Sequence, residues 1–483
     1  MRTFWKYFLI VLLLLLGLFA AGVIYLFFVP GSHLFGIQYI SINEHWTSDG
    51  YVKDDIHTVT VNARDYELVV RESDTEEISL FINAMNTGFV NVKHSTLDVD
   101  ITKSNGHLTF NVSEPYGATI ISDSRVVLRL PKSKAFNINL SNLSGATFIE
   151  DELSINNLSY KTEYGNMSIA EATISGDISL DIHNANVTAT DSAKIANNNV
   201  TLKANSGKLD LSKFALGEID IEKNNHCVLL VKSATRIHGN FETAGGRIEA
   251  ETVGAIELNS SDTNVYITKE LTNGGNIFLT KGGKVDIAAV YSALMVETNN
   301  GSISISKSSS PLNLTSQHGD INVTEATVKV TASNIYGAIN VAFSDTAESN
   351  RTNNQSRKLI ATSANGKITC TGADNVEINA TDNARVSLTM HDIVGTNTIN
   401  GANGAIDIVV PAYQPNTTNV RLPLVLTFKS DRNVLVNLAQ LDITGVTQST
   451  DPILVNCTVA VADTLDVTTK GLLTILDTVT AAL

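Results

Sequence analysis

Four short segments of the sequence decide the fold: GKVDI at 283–287, GSISI at 301–305, GDINV at 319–323 and GAINV at 337–341. Each begins with glycine and continues with two apolar residues spaced two apart, which is the alternation of a β-strand with one buried face. The four leading glycines are equally spaced along the chain. A fixed period of this kind indicates a structural repeat.

Each interval also holds a second apolar alternation, as in residues 293–296, 311–314 and 327–330. One period therefore contains two strands and two corners. A single coil buries about four apolar side chains at roughly 2 kcal/mol each, whereas ordering its backbone costs on the order of 1–2 kcal/mol per residue. Coils must stack to share one core, so the sequence predicts an all-β fold, a β-solenoid with about two strands per 18-residue coil.

Related glycine-led units extend the repeat in both directions, from GNMSI at 165 to GAIDI at 404. Glycine and asparagine are expected at the corners, where they supply left-handed or tight backbone conformations, and asparagine side chains are expected to bond the adjacent turn. The segment Ser349–Arg357 contains no apolar residue and interrupts the period. We expect it to form a loop that protrudes from the stack.

Before residue 141, longer alternating segments such as 66–70 and 78–82 predict an N-terminal β-sheet region over residues 53–140. The solenoid repeats are expected over 141–410, and a C-terminal β cap over 411–483. Residues 30–52 are expected to connect the sheet region to the preceding segment.

Residues 7–29 form an apolar segment of 23 residues without a charge, long enough as a helix to cross a hydrocarbon core of ~30 Å. Arg2 and Lys6 precede it, so the positive-inside rule predicts that residues 1–6 form a cytoplasmic stub and that the bulk of the chain is extracytoplasmic. The predicted location is the cell membrane, with a single-pass signal-anchor. A cleaved signal peptide is the alternative, and it exports the same residues.

Val127–Pro131 form a predicted strand that ends in Leu-Pro, and glycine-led units follow later, among them Gly176-Asp-Ile178 and Gly319-Asp-Ile321. In these residues the chain resembles the bacterial putative-adhesin family also called toastrack. The resemblance covers about residues 55–410. It implies a β-solenoid of the cell envelope with an adhesive or envelope-monitoring role, and it supplies no catalytic residues.

Composition limits the partners. The chain has 34 basic and 49 acidic residues and a net charge of −15, which disfavours nucleic acid and other polyanions. The predicted partners are the membrane, through the N-terminal helix, and an envelope polymer, glycan or protein ligand.

No catalytic, cofactor-binding or metal-ligating motif is recognisable, so we expect neither a cofactor nor an enzyme. Cys227, Cys370 and Cys457 are far apart, which matches neither a zinc site nor a redox pair. Cys370 and Cys457 continue alternating apolar series, so we expect these two to be small apolar side chains facing inward, with a disulfide left open. The histidines are expected to be solvated. Four aspartates near corners leave open an acidic ladder with weak calcium affinity: Asp177, Asp286, Asp320 and Asp407.

These observations favour a membrane-anchored surface scaffold or adhesin-like binding module. Two alternatives stay open. One is an envelope-sensing regulatory ectodomain that works with a membrane partner, and the other is a carbohydrate-active β-helix whose carboxylates come from neighbouring coils.

Overall fold

The computed structural model describes residues 2–28, 33–47, 56–91, 99–112, 120–344, 357–411, 424–430, 434–438, 443–446, 453–455, 463–469 and 472–477. The chain divides into two compact units, Met1–Lys213 and Phe214–Leu483. Helix α1 (Arg2–Phe28) comes first, and all the other described elements are β-strands. The predicted all-β class and β-solenoid are confirmed.

The first unit contains β1 (His33–Thr47), β2 (Thr58–Ala63), β3 (Glu67–Ser73), β4 (Ser79–Asn91), β5 (Val99–Ser104), β6 (His107–Val112), β7 (Ile120–Pro131), β8 (Phe136–Asn142), β9 (Thr147–Ile149), β10 (Ser154–Thr162), β11 (Met167–Ile169), β12 (Thr173–Ile174), β13 (Ile178–Ala189) and β14 (Lys194–Ile195). The extended segment β15 (Val200–Leu271) begins in the first unit and continues in the second.

The second unit continues with β16 (Gly275–Gly282), β17 (Val285–Val290), β18 (Leu294–Thr298), β19 (Ile303–Ser308), β20 (Leu312–Ser316), β21 (Ile321–Ala326), β22 (Val330–Asn334), β23 (Ile339–Phe343), β24 (Lys358–Ser363), β25 (Lys367–Ala373), β26 (Asn375–Ala380), β27 (Arg385–Met390), β28 (Thr396–Gly401) and β29 (Ile406–Val410). Its last strands are β30 (Leu424–Ser430), β31 (Val434–Leu438), β32 (Ile443–Val446), β33 (Ile453–Val455), β34 (Asp463–Thr469) and β35 (Leu473–Asp477).

Parallel pairing between alternate strands builds the coils. Strand β17 pairs with β19, β19 with β21 and β21 with β23, so that Val285, Ile303, Ile321 and Ile339 form one evenly spaced column. The second strand of each coil stacks likewise, β18 on β20 and β20 on β22. All four residues of the column are buried. The predicted period of two strands and two corners is confirmed.

The period lengthens without loss of register where corners hold extra residues. In the first unit Leu158 stacks under Ile178 and Ile178 under Val200, and both steps are longer than the step from Ile303 to Ile321. The separation in sequence between the stacked residues Ile339 and Ile368 is longer still, because more residues connect β23 to β24. Inward residues keep their columns because slipping by one residue would turn every apolar side chain outward.

The corner glycines are needed mainly for close approach between coils. A Cβ built on Gly301 would lie 1.8 Å from the carbonyl oxygen of Gly283, and one on Gly319 would lie 2.0 Å from that of Gly301. Among the four equally spaced glycines, Gly283 alone has a positive φ, of 119°. Of the left-handed or tight conformations expected at the corners, Gly283 therefore has the left-handed one, and the other three glycines allow the close approach of neighbouring coils.

A buried polar side chain three positions before each of the last three of these glycines holds the corner. The amide N–H of Gly301 donates to Thr298 Oγ1 over 3.1 Å, that of Gly319 to Ser316 Oγ over 3.0 Å, and that of Gly337 to Asn334 Oδ1 over 2.6 Å. These bonds satisfy backbone donors that have turned away from the strand ladder. The Asn334 amide also donates to the carbonyl of Gly319 one coil earlier, which confirms the predicted asparagine bond to the adjacent turn.

The N-terminal strands already belong to the coil stack. Strand β2 lies between β6 and β8, and β3 lies between β7 and β9, all in parallel pairs. Residues 33–47, which we expected in a connector, form strand β1, antiparallel to β4. The domain limits predicted from the sequence stay predictions.

At the C-terminal end the coils do not follow chain order. Strand β34 lies between β28 and β30, and β35 lies between β29 and β31. The coil formed by β34 and β35 comes last in the sequence, but in the stack it lies between the coil of β28 and β29 and the coil of β30 and β31. Strands β33 and β32 pair antiparallel with β30 and β31. Cys457 lies outside the described residues.

Candidate functional site

One lateral face of the second unit carries an aromatic side chain where the strand alternation calls for a polar one. On β16, Ile277 and Leu279 point into the core and are 0% and 2% exposed, so Phe278 between them points outward. The register places Phe278 beside Glu297 on β18, and Glu297 beside Thr315 on β20. Three consecutive coils therefore present Phe, Glu and Thr in one outward column.

This column borders a cavity of about 210 Å³ at the corner that follows β16, β18 and β20. We call it the corner groove; its lining residues are Phe278, Leu279, Thr280, Glu297, Thr298, Asn299, Thr315 and Gln317. Backbone bonds fix the corner, since the N–H of Asn299 donates to the carbonyl of Leu279 and that of Gln317 to the carbonyl of Asn299. The groove thus spans three coils held by the solenoid's own hydrogen bonds.

Two polar groups of the corner groove have no partner within the described part of the chain. Asn299 Oδ1 is buried and accepts no hydrogen bond there. The Glu297 carboxylate is exposed and, among the described residues, makes no ion pair or side-chain hydrogen bond. A buried acceptor without a donor costs on the order of 1–3 kcal/mol, so such an atom is commonly satisfied by water or a ligand.

Several charged residues elsewhere on the coils are paired. Arg236 bridges Glu218 and Glu257, and Lys269 pairs with Glu251 over 2.5 Å. Near the groove but on the other strand of the coil, Lys284 pairs with Asp286 over 2.7 Å. At the groove, by contrast, the Glu297 carboxylate, unpaired among the described residues, lies beside the outward ring of Phe278.

Beyond the groove the same corner continues as a small aromatic stack. The rings of His318 and Tyr336 are parallel, with centroids 4.9 Å apart and an angle of 8° between their planes. Tyr336 is 58% exposed and its neighbour Ile335 is 39% exposed. Because Gln317 belongs to the groove and His318 to the stack, the two features form one surface over the coils that contain residues 278, 297, 317 and 336.

The four corner aspartates do not form an acidic ladder. Asp286 lies in the column of Ser304, Asn322 and Asn340, and Asp407 joins that column several coils later, beside Ser387. Asp320 and Asp177 accept backbone or side-chain bonds from adjacent coils. No group of three or more metal-ligating side chains occurs among the described residues.

Cys370, which the sequence predicts to face inward, is buried and free of a disulfide. Cys227, whose orientation the sequence did not indicate, is also buried and free. Burial raises the pKa of the Cys370 thiol to about 12. Of the histidines, His238 lies 3.1 Å from Asp220 and His318 stacks on Tyr336, so these two are not merely solvated as expected.

The prediction that Ser349–Arg357 protrudes as a loop is wrong at Arg357, which is buried. Residues 345–356 lie outside the described part of the chain, but Arg357 is buried, with Nε 2.9 Å from Asp374 Oδ2 and Nη2 3.0 Å from Oδ1. Its Nη1 donates to the carbonyl of Ser344 over 3.1 Å, and His391 Nδ1 lies 3.1 Å from Asp374. The Arg357 side chain therefore links the carbonyl of Ser344, which follows β23, to Asp374, which lies between β25 and β26. No pattern in the sequence distinguished it from the polar residues before it.

The sequence analysis also missed the corner groove. A signal was present in the unit GNIFL, where phenylalanine occupies the polar position of the alternation. The partners of Phe278 could not be found in the same way, because Glu297 and Thr315 come from other coils whose exact register depends on corner lengths.

Comparison with known proteins bears on the fold. Residues 56–252 match the family model described as Toastrack DUF4097. Residues 56–252 therefore carry a Toastrack domain. The resemblance predicted over about 55–410 is thus confirmed at its start, while the match ends at residue 252. The corner groove lies in coils beyond the matched segment.

Solved structures with similarity include three bacterial proteins. They are a "putative cell adhesion protein" from Clostridium sporogenes ATCC 15579 (8% identity, TM-score 0.24, 44% of this chain and 99% of that one), a "putative adhesin" from Bacteroides fragilis NCTC 9343 (12%, 0.21, 59% and 97%) and another from Parabacteroides merdae ATCC 43184 (10%, 0.22, 72% and 95%). At these TM-scores the likeness carries no argument. No curated protein matches the chain.

Proposed function

We propose that this protein is a membrane-anchored, extracytoplasmic surface scaffold that acts as an adhesin-like binding module. The observation that carries the proposal is the corner groove, a surface of unpaired polar groups and exposed rings on a regular stack. Ligand sites typically combine apolar or aromatic walls with a few polar groups that fix orientation.

Helix α1 supports the anchoring part of the proposal. Its segment Trp5–Ile24 has a mean hydropathy of 2.8, which by length and composition suits a membrane span, and a signal sequence passes the same test. With Arg2 and Lys6 before the span, the strands would lie outside the cytoplasm.

The groove favours binding over cleavage. Glycoside hydrolysis commonly needs two carboxylates that flank the scissile bond, and the residues that line the groove include one, Glu297. A sensor that works with a membrane partner is the remaining alternative, and no feature of the described residues favours it.

The anchoring half is tested by labelling cysteine on intact cells. Cys227 and Cys370 are buried, so they should not react in the folded protein. In a background with Cys457→Ser, the exposed position Asn273→Cys should react with a membrane-impermeant maleimide before lysis, and the protein should stay in the membrane fraction. Labelling only after lysis would overturn the predicted orientation.

The binding half is tested with the full chain in nanodiscs against panels of envelope polymers, glycans and surface proteins. We expect at least one panel member to bind, and F278A/Y336A to weaken that binding at least tenfold. The control is Tyr291→Ala, which removes a ring that is 47% exposed at the opposite corner of the coil. If no panel member binds, or if both variants bind like the native chain, the binding function is wrong.

A further inference from the structure

We infer that the corner groove binds an uncharged saccharide chain that lies along the stacking direction, across the corner from Phe278 toward Tyr336. This inference rests on the proposed binding function and names its ligand. It follows from four properties of the surface: the hydrogen-bonding character of its polar groups, its charge, its rings and its length.

The polar groups of the groove match hydroxyls. Glu297 and Asn299 Oδ1 offer acceptors, while the amide of Gln317 and the hydroxyls of Thr280 and Thr315 offer both donors and acceptors. A sugar hydroxyl also both donates and accepts, so it can bond with every member of this set. An ammonium group donates only, and it would leave the amide and hydroxyl donors without acceptors.

Charge excludes an acidic polymer. Glu297 lies in the middle of the groove without a cationic partner among the described residues, and the whole chain has a net charge of −15. A uronic acid or phosphate polymer would place like charges beside Glu297, and the juxtaposition of like charges at an interface is unfavourable. An uncharged chain meets no such repulsion.

The rings provide apolar faces of the right kind. Phe278 forms a wall of the groove, and the outer ring of the His318–Tyr336 stack is exposed farther along the same corner. Sugar rings present C–H faces that pack on aromatic surfaces, while their hydroxyls reach sideways to polar groups.

The length of the surface indicates a chain. The residues that define it come from four successive coils, which at a spacing of ~4.8 Å gives a distance of roughly 14 Å. This is longer than one sugar ring, and the cavity of about 210 Å³ takes up its first part. Affinity for the saccharide should therefore rise with the number of sugar rings until the ligand spans the whole surface from Phe278 to Tyr336.

The test uses the full chain in nanodiscs and an array of neutral linear oligosaccharides of one to six hexose or N-acetylhexosamine rings, with hexalysine and hexagalacturonate as charged probes. We expect at least one neutral series to bind, with affinity increasing from one to about four rings and little affected by salt. Phe278→Ala should weaken binding at least tenfold, and Tyr336→Ala by severalfold for longer chains only. Tyr291→Ala should leave it unchanged.

Glu297→Gln separates the two remaining ligand classes. An amide still accepts from a hydroxyl, so saccharide binding by this variant should fall by less than about tenfold. An ammonium ligand would bind the native chain in a salt-sensitive way, and the variant would not bind it. Binding of hexalysine or hexagalacturonate in place of neutral sugars, or equal binding by Phe278→Ala, would overturn the inference. If a protein ligand binds through Phe278 and no sugar does, the saccharide inference fails and the binding module stands.

Discussion

At the scale of single residues, the corners of the coils leave little room for change. At Gly283 the backbone is left-handed and the carbonyl oxygen of Thr263 lies 2.3 Å from where a Cβ would stand, whereas at the neighbouring Gly282 the nearest heavy atom lies 3.7 Å away. The two glycines are adjacent in the same corner. Comparing substitutions at the two positions therefore shows whether glycine is required by the close approach between coils or only occurs in the turn.

Gly283→Ala should lower the free energy of unfolding by about 2–4 kcal/mol, because the added methyl group combines backbone strain with overpacking. Gly282→Ala should change it by less than about 1 kcal/mol. Urea denaturation followed by circular dichroism measures both values. Equal stability of the two variants would contradict the close approach between coils.

The buried pair Arg357–Asp374 is a second residue-scale constraint. Both side chains are almost fully buried, at 2% and 1% exposure, and the pair is bidentate. Removing one partner leaves the other charge buried, which typically costs about 3–5 kcal/mol, whereas removing both avoids that penalty.

Asp374→Ala should therefore destabilise the chain by about 3–5 kcal/mol, and the double variant R357M/D374A should be more stable than D374A alone. Glu377→Ala, which breaks the more exposed pair with Lys358, should cost less than about 1 kcal/mol. Thermal and urea unfolding of the four proteins provide the comparison. A double variant no better than D374A would show that the charge is not buried.

At the scale of elements, the coil is the unit of folding. The steps from Val285 to Ile303 and from Ile303 to Ile321 have the same length and the same pairing. One coil is therefore interchangeable with the next, as expected where each repeat contacts only its neighbours.

Deletion of residues 302–319 removes one coil and joins Gly301 to Asp320, which restores the junction found at Gly319. This variant should fold with a circular dichroism spectrum like that of the native chain and a modestly lower stability. Deletion of residues 302–310 removes half a coil and places β20 above β17, so it should fail to form a protease-resistant body. If both deletions fold, the two strands of a coil are equivalent, contrary to the observed pairing.

At the scale of the whole molecule, strand edges are the main hazard, because parallel coils end in rows of unpaired backbone groups that invite association. In the first unit β5 and β4 pair antiparallel with β6 and β7. In the second, β34 and β35 cover β28 and β29 and are themselves covered by β30 and β31.

Removal of residues 463–483 should expose the edges of β28 and β29 and cause aggregation, which light scattering of the detergent-solubilised chain would detect. Removal of residues 478–483 alone, which lie beyond β35, should have no such effect. A monodisperse product from the longer truncation would mean that β30 and β31 can cover the same edge without the inserted coil.

The sequence by itself determined the apolar helix, the strand alternation and the regular period of the coils, because each is a local pattern whose meaning depends on neighbouring residues. It also indicated the Toastrack family through short glycine-led units. The tertiary structure alone decided that Phe278, Glu297, Asn299 and Gln317 form one groove, that Arg357 turns inward to Asp374, and that β34 and β35 insert before β30 and β31. Each of these depends on which coil lies beside which. Corner lengths differ between the steps from Ile178 to Val200, from Ile303 to Ile321 and from Ile339 to Ile368, so the register is set only when the whole stack is formed.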